Sequence, residues 1–318
     1  MSQPVAVIIV NYNSTKLLND ALTGLARQTY ERFSTLVIDN GSREKPVDAN
    51  LPGVKIVYLP ENIGFAGANN HGIELCAKSR WIALLNPDAI PADDWLERLV
   101  AAAEAEPGAT SFASRMIQAE QRNVLDGAGD AYHVSGRVGR RGYGMPAAAH
   151  YNSREEVFSV CAAAALYRRD ALDAAGGFDE DFFCYLEDVD LGFRLRLAGY
   201  RCLYVPDAVV YHVGSATTGK DSDFTLYHIH RNLVWTYVKN MPGLLFWLYL
   251  PQHILMNAYS IVSFAAKRRL RVILRAKMDA LRGLPRAWRK RRETQAHRVA
   301  GLREIRKALD KGLHWRRR

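Results

Sequence analysis

Short apolar runs alternate with helical repeats of apolar residues along the first third of the chain. Residues 5–10 are apolar and rich in β-branched side chains, and the leucines and alanines of residues 17–25 then recur at helical spacing. Similar apolar runs cover residues 34–39, 54–59 and 81–85. Continuous apolar strands that alternate with helices are typical of a largely parallel sheet with helices on both faces. The pattern therefore predicts an α/β fold.

The following part of the chain is less regular. A glycine-rich stretch, residues 118–152, includes Arg137, Arg140 and Arg141 and is expected to form a long loop or lid. After it the pattern predicts a buried strand, a helix closed by Gly199 and two short closing strands. These elements cover residues 157–167, 188–197, 203–205 and 209–213.

Polar residues follow the predicted strands at the points where the strands end. They are Asn11 to Ser14, Asp39 with Asn40, residues 62–70, and Asp88. Ligands of α/β sheets bind outside the carboxyl ends of the strands, so we expect these residues to converge on one ligand site. Asn, Asp and Gly are also common turn formers, and each residue alone has that structural explanation.

The first of these turns argues against two nucleotide-binding classes. A nicotinamide dehydrogenase should carry GxGxxG directly after the first strand, where this chain has Asn11-Tyr12-Asn13-Ser14. A P-loop NTPase should carry GxxxxGK[ST], which does not occur in the sequence.

Asp88 is a candidate metal ligand. It follows an apolar strand, and Pro87 fixes the turn from which its carboxylate leaves. One carboxylate with phosphate oxygens and waters is a common way to hold Mg²⁺ or Mn²⁺, and such an ion would neutralise a departing diphosphate. The alternative is that Asp88 caps the helix that contains Trp95, a task for which Asp93 is better placed.

Three carboxylates, Glu187, Asp188 and Asp190, stand together at a predicted helix start. Acids favour the first helical turn, so capping explains part of the set. Clustered carboxylates also raise one another's pKa, which favours a general base that works near neutral pH. Because Asp190 is spaced to pair with Arg194, Asp188 and Glu187 are the better catalytic candidates.

His212 ends the last predicted strand and precedes Gly214 and Ser215. Its place favours two explanations equally, a structural histidine and a ligand for a metal or diphosphate.

Six motifs together resemble the signature set of family 2 glycosyltransferases. They are VIIVNYNS (7–14), VIDNGS (37–42), NIGFAGANNHG (62–72), LLNPDA (84–89), GGFDEDFFCYLEDVDLGFRLRLAGY (176–200) and HVGS (212–215). The motifs occur in the family's order, and within the family they are similar to the bacterial rhamnosyltransferase-like branch that builds cell-surface polysaccharides.

The resemblance implies a GT-A fold, which is Rossmann-like with a mostly parallel mixed sheet and helices on both faces. It also implies a nucleotide-diphosphate sugar donor of the dTDP, UDP or GDP type, a divalent Mg²⁺ or Mn²⁺ ion, and inversion at the anomeric carbon. By position, Asp39 matches the residue that contacts the nucleobase, Asn11 and Tyr12 match the loop that lines the nucleotide, and Asn69 is assigned to donor binding with them.

The same resemblance assigns the chemistry. Asp88 matches the metal-binding aspartate of the DxD-type motif, with Asn86 where many relatives carry the first Asp. His212, which lies in the HVGS motif, is the candidate for a second metal ligand. Asp188 matches the base that deprotonates the acceptor hydroxyl, and Glu187 is the alternative base. A single inverting displacement needs one base and one cation, which agrees with this assignment.

The charge is divided unevenly along the 318 residues. From Met241 onward 20 basic residues stand against four acidic ones, a formal charge of +16, which leaves −6 for residues 1–240. We therefore predict a catalytic domain over residues 1–240 and a basic, membrane-associating region of amphipathic helices over residues 241–318. The four cysteines form no CxxC pair, and the N-terminus has no secretory pattern, so we expect the body in the cytoplasm.

An apolar segment precedes the basic residues. The 27 residues between Lys239 and Lys267 carry no formal charge, but Pro251 is expected to divide them into halves too short to span a bilayer. A single span would also place the basic tail on the wrong side of the membrane. We therefore expect interfacial or re-entrant helices on anionic lipid, with nucleic-acid binding as the weaker alternative.

The sequence as a whole predicts a metal-dependent inverting glycosyltransferase at the inner face of the bacterial membrane. It would move a sugar, with rhamnose as one candidate, to a lipid-linked or growing cell-surface glycan. The alternative is a catalytically inactive scaffold that binds a sugar nucleotide.

Overall fold

The computed structural model describes residues 4–46, 53–214 and 222–312. The strands are β1 (Val5–Asn11), β2 (Phe33–Asp39), β3 (Val54–Tyr58), β4 (Trp81–Leu85), β5 (Ala89–Pro91), β6 (Ala109–Gln118), β7 (Leu125–Gly127), β8 (Asp130–Tyr132), β9 (Val138–Arg140), β10 (Glu155–Val157), β11 (Ala164–Arg168) and β12 (Arg201–His212). The helices are α1 (Thr15–Ala26), α2 (Gly64–Leu75), α3 (Trp95–Ala105), α4 (Arg169–Ala175), α5 (Glu187–Leu197), α6 (Asp223–Asn240), α7 (Gly243–Ala266), α8 (Leu270–Arg282), α9 (Leu284–Ala296) and α10 (Leu302–Ala308), with a 3₁₀ helix at Glu180–Phe182.

One mixed sheet forms the centre of the fold. Its strand order is β10-β12-β6-β11-β4-β1-β2-β3, with β5 beside β12 and β7 beside β6. The strands β1 to β4, the first four along the chain, pair in parallel: β1 lies between β2 and β4, and β3 pairs with β2. The strand β11 is antiparallel to both of its neighbours. The predicted mixed sheet is confirmed, and its parallel strand pairs are concentrated in the part formed by β1 to β4.

Helices cover both faces of the sheet, as β1 illustrates. Val5, Val7 and Ile9 point into a cluster with the apolar faces of α1 and α3. Ala6 and Ile8 alternate with them and join a second cluster with residues of α2 and α5. Successive side chains of a strand point to opposite faces, so a continuous apolar run is what a strand covered on both sides requires.

Two predicted strand boundaries were wrong. The apolar run 157–167 is divided between β10 and β11, because β10 pairs with β12 whereas β11 pairs with β4 and β6. The chain must leave the sheet between these two places. In contrast, the two closing strands are one strand, β12, in which a register shift between Val205 and Val209 accommodates Pro206.

The glycine-rich stretch is more ordered than a loop. It contains β7, which extends the central sheet, and β8 and β9, which pair in a small sheet of their own. Its glycine content concealed these three-residue strands, since glycine does not contribute to an apolar alternation.

The division of the apolar segment at Pro251 was also wrong. The helix α7 runs unbroken through Pro251. Proline removes the hydrogen bond to the carbonyl four residues earlier, that of Trp247, and both residues lie on the exposed side of the helix. Solvent can satisfy that carbonyl, so the helix continues. No helix within the described ranges is long and apolar enough to cross a membrane.

The C-terminal helices pack on the rest of the chain. A third apolar cluster joins Phe158 and Phe193 to residues of α6, α7, α9 and α10. The helix α6 ends at Asn240, the residue at which the sequence analysis divides the chain. The division into two domains stays a prediction, and the two parts share one core cluster.

Candidate active site

A cavity of about 830 Å³ opens at the carboxyl ends of β1, β2 and β4. Five of the predicted site residues line it: Tyr12, Asp88, Glu187, Asp188 and His212. Asn40, Asn86 and Gly214 line it as well, whereas Ser215 lies outside the described residues. The strand ends therefore converge in space, as their positions in the sequence indicate.

Asn11 and Asp39 are buried beneath this cavity. The Asn11 amide donates to Asp39 Oδ1 at 2.9 Å, and the backbone N–H of Ser42 donates to Asp39 Oδ2 at 3.3 Å. Both side chains are almost fully buried and neither is on the cavity wall. In this arrangement they hold the two strand ends together and fix the turn that carries Tyr12.

Asn69 also lies off the cavity wall. It is 1% exposed on α2, and its amide donates to the Phe65 carbonyl at 2.8 Å. Asn40 lies closer to the cavity, where its side chain bonds Asn62 at 2.9 Å and the backbone N–H of Ile63 at 3.0 Å. The roles of Asn11, Asp39 and Asn69 in donor binding stay predictions.

Strand pairing brings Asp88 and His212 together. His212 is in register with Ala89, the residue after Asp88, because β5 pairs with β12. The His212 Nε2 atom lies 3.4 Å from Asp88 Oδ1, and Nδ1 donates to Asp126 Oδ2 at 2.7 Å. Neither Asp88 nor Asp93 caps α3, since the helix follows Asp94 and Asp93 pairs with Arg27.

The His212 ring is prepared for a cation. An ionised carboxylate only accepts, so its bond to Asp126 places a proton on Nδ1 and leaves the lone pair of a neutral ring on Nε2. That Nε2 atom is buried and has no hydrogen-bond partner among the described residues. Burial lowers the pKa of His212, but the hydrogen bond to Asp126 and the negative charges of Asp88 and Asp126 outweigh burial, so the pKa is raised.

These two residues fit a divalent ion that is shared with a ligand. An orphaned Nε2 beside a carboxylate, with Nδ1 on a second carboxylate, is the usual setting of a metal-binding histidine. Within the described part of the chain, no three His, Cys, Asp or Glu side chains are grouped to hold a metal by themselves. Oxygen atoms of a bound diphosphate would have to complete the coordination.

Glu187 and Asp188 differ in their hydrogen bonds. The Asp188 carboxylate accepts the backbone N–H groups of Ala162 at 3.0 Å and Val189 at 2.8 Å. The Oε2 atom of Glu187 is buried without a hydrogen-bond partner in the described residues. Burial, with the charge of Asp188, raises the pKa of Glu187 well above its usual range. Burial also raises the pKa of Asp188, against the opposing effect of those two backbone bonds.

A turn of unusual backbone conformation presents this pair. Phe183, Tyr185 and Leu186 have φ values of 63°, 69° and 65°, which lie in the left-handed region that residues other than glycine rarely adopt. The Asn232 amide, fully buried on α6, donates to the carbonyls of Phe182, Cys184 and Tyr185 at 3.0, 2.9 and 2.7 Å. The side chain of Asn232 thus stabilises the strained turn by hydrogen bonds from α6.

The third member of the acid cluster has a structural role. Asp190 pairs with Arg194 at 2.9 Å, as its spacing predicts, and also with Lys239 at 2.7 Å. It is fully buried on the side of α5 that faces α6, away from the cavity wall.

Three charged residues on the cavity wall were not predicted as site residues: Asp126, Asp130 and Arg140. Arg140 donates to Asp126 at 2.7 Å, so Asp126 bridges Arg140 and His212. Burial and the charge of Asp188 raise the pKa of Asp130 to about 7. The available signal was the sequence LDGAGD at residues 125–130, which places two acids among glycines.

Comparison with known proteins shows what the chain as a whole is similar to. The profile of the family described as "Glycosyltransferase like family 2" matches residues 3–237. An N-acetylglucosaminyl-diphospho-decaprenol L-rhamnosyltransferase from Mycobacterium tuberculosis is 29% identical over 256 residues, which cover 73% of this chain and 83% of that protein.

Two solved structures are similar in fold. The crystal structure of GalNAc-T7 with UDP, GalNAc and Mn²⁺ superposes with a TM-score of 0.59 at 15% identity, over 74% of this chain and half of that one. A mannosyltransferase from Pyrobaculum calidifontis, in complex with GDP-Man and Mn²⁺, superposes with a TM-score of 0.55 at 18% identity, over 96% of this chain and 86% of that one. The GT-A architecture expected from the sequence is confirmed.

Proposed function

The chain belongs to glycosyltransferase family 2, and from this premise we propose that it is a metal-dependent inverting enzyme that transfers one sugar from a nucleotide-diphosphate donor to a lipid-linked acceptor. One observation carries the proposal: the unpartnered His212 Nε2 beside Asp88 and the pair Glu187-Asp188 line the same cavity. A single displacement needs a cation to stabilise the leaving diphosphate and a general base to deprotonate the acceptor, and this cavity has candidates for both.

The donor would bind with its diphosphate at Asp88 and His212. These residues would hold Mg²⁺ or Mn²⁺, which when bound neutralises the charge that develops on the leaving diphosphate. Asp126 keeps the Nε2 lone pair of His212 directed at the site through the bond to Nδ1. The two similar structures carry Mn²⁺ with UDP or GDP-Man, which supports a divalent ion and a nucleoside diphosphate here.

The base would be Asp188, with Glu187 as a neutral partner. Two adjacent buried carboxyls do not ionise together readily, so one of them keeps its proton. Burial and the charge of Asp188 raise the pKa of Glu187 well above its usual range, whereas two backbone N–H groups favour the charged form of Asp188. Asp188 would take the acceptor hydroxyl proton while the acceptor oxygen attacks the anomeric carbon and the nucleoside diphosphate leaves from the opposite side.

Two isosteric substitutions test this assignment. We expect Asp188→Asn to abolish nucleotide release and transfer, because the proton has no acceptor, and to keep donor affinity as measured by calorimetry. Glu187→Gln is the matched control, since an amide replaces a carboxyl that is already neutral, and it should keep most of the turnover. Normal turnover by Asp188→Asn, or loss in Glu187→Gln alone, would transfer the role to Glu187.

The acceptor class rests on the mycobacterial relative, which by its name acts on a decaprenol-linked diphospho-sugar. We propose a polyprenyl-diphosphate-linked or growing cell-surface glycan as acceptor, at the inner face of the membrane, and rhamnose as the first donor sugar to test. A thermal-shift screen of dTDP-, UDP- and GDP-sugars identifies the donor, because a specific ligand stabilises the fold by mass action.

The inactive scaffold is the weaker candidate. Asn86 lines the cavity where many relatives carry an acid, but Asp88, His212 and the pair Glu187-Asp188 all reach the same cavity. Release of nucleoside diphosphate from the donor identified in the screen, with Mn²⁺ present, would exclude the scaffold.

A further inference from the structure

One side of α7 is an uncovered apolar surface. Six of its large side chains are at least 58% exposed: Leu244, Trp247, Leu248, Ile254, Leu255 and Val262. Their spacing puts them on one face of the helix, and Gln252 is the polar residue that interrupts the exposed positions of residues 243–259. At about 1.5 Å per residue the helix is roughly 36 Å long, so these side chains form a continuous apolar surface, unlike the single exposed apolar residues that are normal on a soluble protein.

The opposite side of α7 is fully engaged. Leu245, Phe246 and Tyr249 belong to the third apolar cluster, Met256 is buried as well, and His253 is buried against Tyr237. The helix is thus fixed to the enzyme by one face and leaves the other face outward. It cannot turn its exposed leucines inward without losing the packing that holds it.

The neighbouring helix α8 adds a second stripe and a set of cations. Leu270, Leu274, Met278 and Leu281 recur at intervals of three and four residues and are 40–62% exposed. Basic residues alternate with these apolar positions. The exposed basic residues of residues 267–282 are Lys267, Arg268, Arg271, Arg275 and Arg282. The acid of this stretch, Asp279, bonds Arg282 and Tyr227.

The combination selects the partner. A two-fold contact with a second copy of the chain would bring these cations against each other. A nucleic acid would pair with the cations but offers no apolar phase for α7. An anionic lipid bilayer provides both, since apolar side chains enter the acyl boundary and each nearby Lys or Arg is attracted to the anionic head groups.

We propose that α7 and α8 form an interfacial platform, defined by the two exposed stripes, on which the enzyme lies against an anionic bilayer. This inference rests on the proposed function only in its purpose, which is to bring the active site to a lipid-linked acceptor. The platform itself is a property of these two helices. Its apolar residues lie in the interface, and its arginines contact lipid phosphates.

Flotation of the full chain with vesicles tests the platform. The wild type should float with vesicles of phosphatidylcholine and phosphatidylglycerol, and less with phosphatidylcholine alone. The double variant Leu255→Ser/Val262→Ser should lose at least tenfold in vesicle affinity. The control Leu75→Ser/Val299→Ser makes the same two replacements at exposed positions outside the platform and should float like the wild type.

A second readout separates this inference from the proposed function. Turnover with a water-soluble, short-chain acceptor should be equal in all three proteins, which shows that the variants are folded, while turnover with the acceptor in vesicles should fall only in the platform variant. Inactivity of all three on both acceptors would count against the function and leave the flotation result valid. Flotation of the platform variant like the wild type overturns the platform, and so does a wild-type dimer that the platform variant dissociates.

Discussion

At the residue scale, Asp126 connects two parts of the candidate site. Its Oδ2 atom accepts from both His212 Nδ1 and Arg140, each at 2.7 Å. Asp126 therefore fixes the orientation of the His212 ring, and we do not assign it as a metal ligand. Partners of this kind commonly change metal affinity by about 10- to 100-fold when they are removed.

We expect Asp126→Asn to weaken donor binding in the presence of Mn²⁺ by about 10- to 100-fold and to change it little without the ion. The amide can present its N–H to His212 and reverse the tautomer, which would put the proton on Nε2. Calorimetry with the nucleotide sugar, with and without Mn²⁺, measures both affinities. Asp207→Asn, at an exposed position of β12, the strand that carries His212, is the control. Equal Mn²⁺ dependence in the two variants would contradict the role of Asp126.

A second residue-scale prediction concerns Lys277. Its ammonium group is buried between helices, donates to the His230 carbonyl at 3.0 Å and to Asn257, and has no carboxylate partner among the described residues. Burial lowers its pKa from 10.5 to about 7. Between these two values the unfolded chain binds more protons than the folded one, so this residue makes the free energy of unfolding rise with pH, by up to about 1.4 kcal/mol per pH unit.

We expect Lys277→Met to remove that rise. Urea unfolding of wild type and variant at several values from pH 7 to 10 measures the difference, which should favour the variant most at the lowest pH. The exposed Lys307→Met serves as control and should give a curve parallel to the wild type. If Lys277→Met is also parallel to the wild type, Lys277 stays charged in the folded state.

Single residues were predictable where a strand ends. Tyr12, Asp88 and His212 follow recognisable apolar strands, so their arrival at one cavity could be inferred. Asp126 and Arg140 lie on three-residue strands whose pairing depends on the whole sheet. Their positions follow from tertiary structure, and no local pattern carries that information.

At the element scale, the turn at residues 183–186 depends on α6. Three residues of this turn or next to it give their carbonyls to Asn232, and the carbonyl of Phe183 accepts from the Ala66 N–H at 3.2 Å. Gly64 lies against Phe183 so closely that a Cβ there would be 2.6 Å from its carbonyl oxygen. The turn is therefore held on both sides.

We expect Asn232→Ala to lower kcat on the order of 10- to 100-fold with donor affinity unchanged, since a misplaced base is costly while the donor site is untouched. Asn240→Ala is the matched control: Asn240 is equally buried on the same helix and bonds Asp190 at 2.7 Å, without contact to the turn. It should lose comparable stability and keep kcat. An equal loss of kcat in both variants would mean that Asn232 acts on stability alone.

Elements were predicted best where the apolar pattern is long and unambiguous. The strands β1, β2 and β4 and the helix α5 lie within a residue or two of the prediction. The predictions were wrong where they followed a local sequence signal that the tertiary structure overrides. Pro251 indicates a break, yet its lost hydrogen bond faces solvent; residues 157–167 form one apolar run, yet sheet pairing divides them.

At the scale of the whole molecule, charge and apolar surface are separated. Residues 1–240 carry −6 and hold the acid-lined cavity, whereas the following helices carry the cations and the exposed apolar stripes of α7 and α8. A negative body does not attract an anionic donor by its net charge, so under the proposed function the donor would depend on a cation held by Asp88 and His212. The composition alone indicated the charge division, and only the structure distinguishes the exposed face of α7 from the buried one.

The anomeric configuration of the product is the most direct test of the proposed single displacement. NMR of the glycan formed from the donor identified by thermal shift, with Mn²⁺ and a lipid-linked acceptor, should show the configuration opposite to that of the donor. Inversion is expected because the cavity offers one base and one cation site for a single displacement. A product with retained configuration would contradict the proposed mechanism, in which one displacement takes place and no residue acts as a nucleophile.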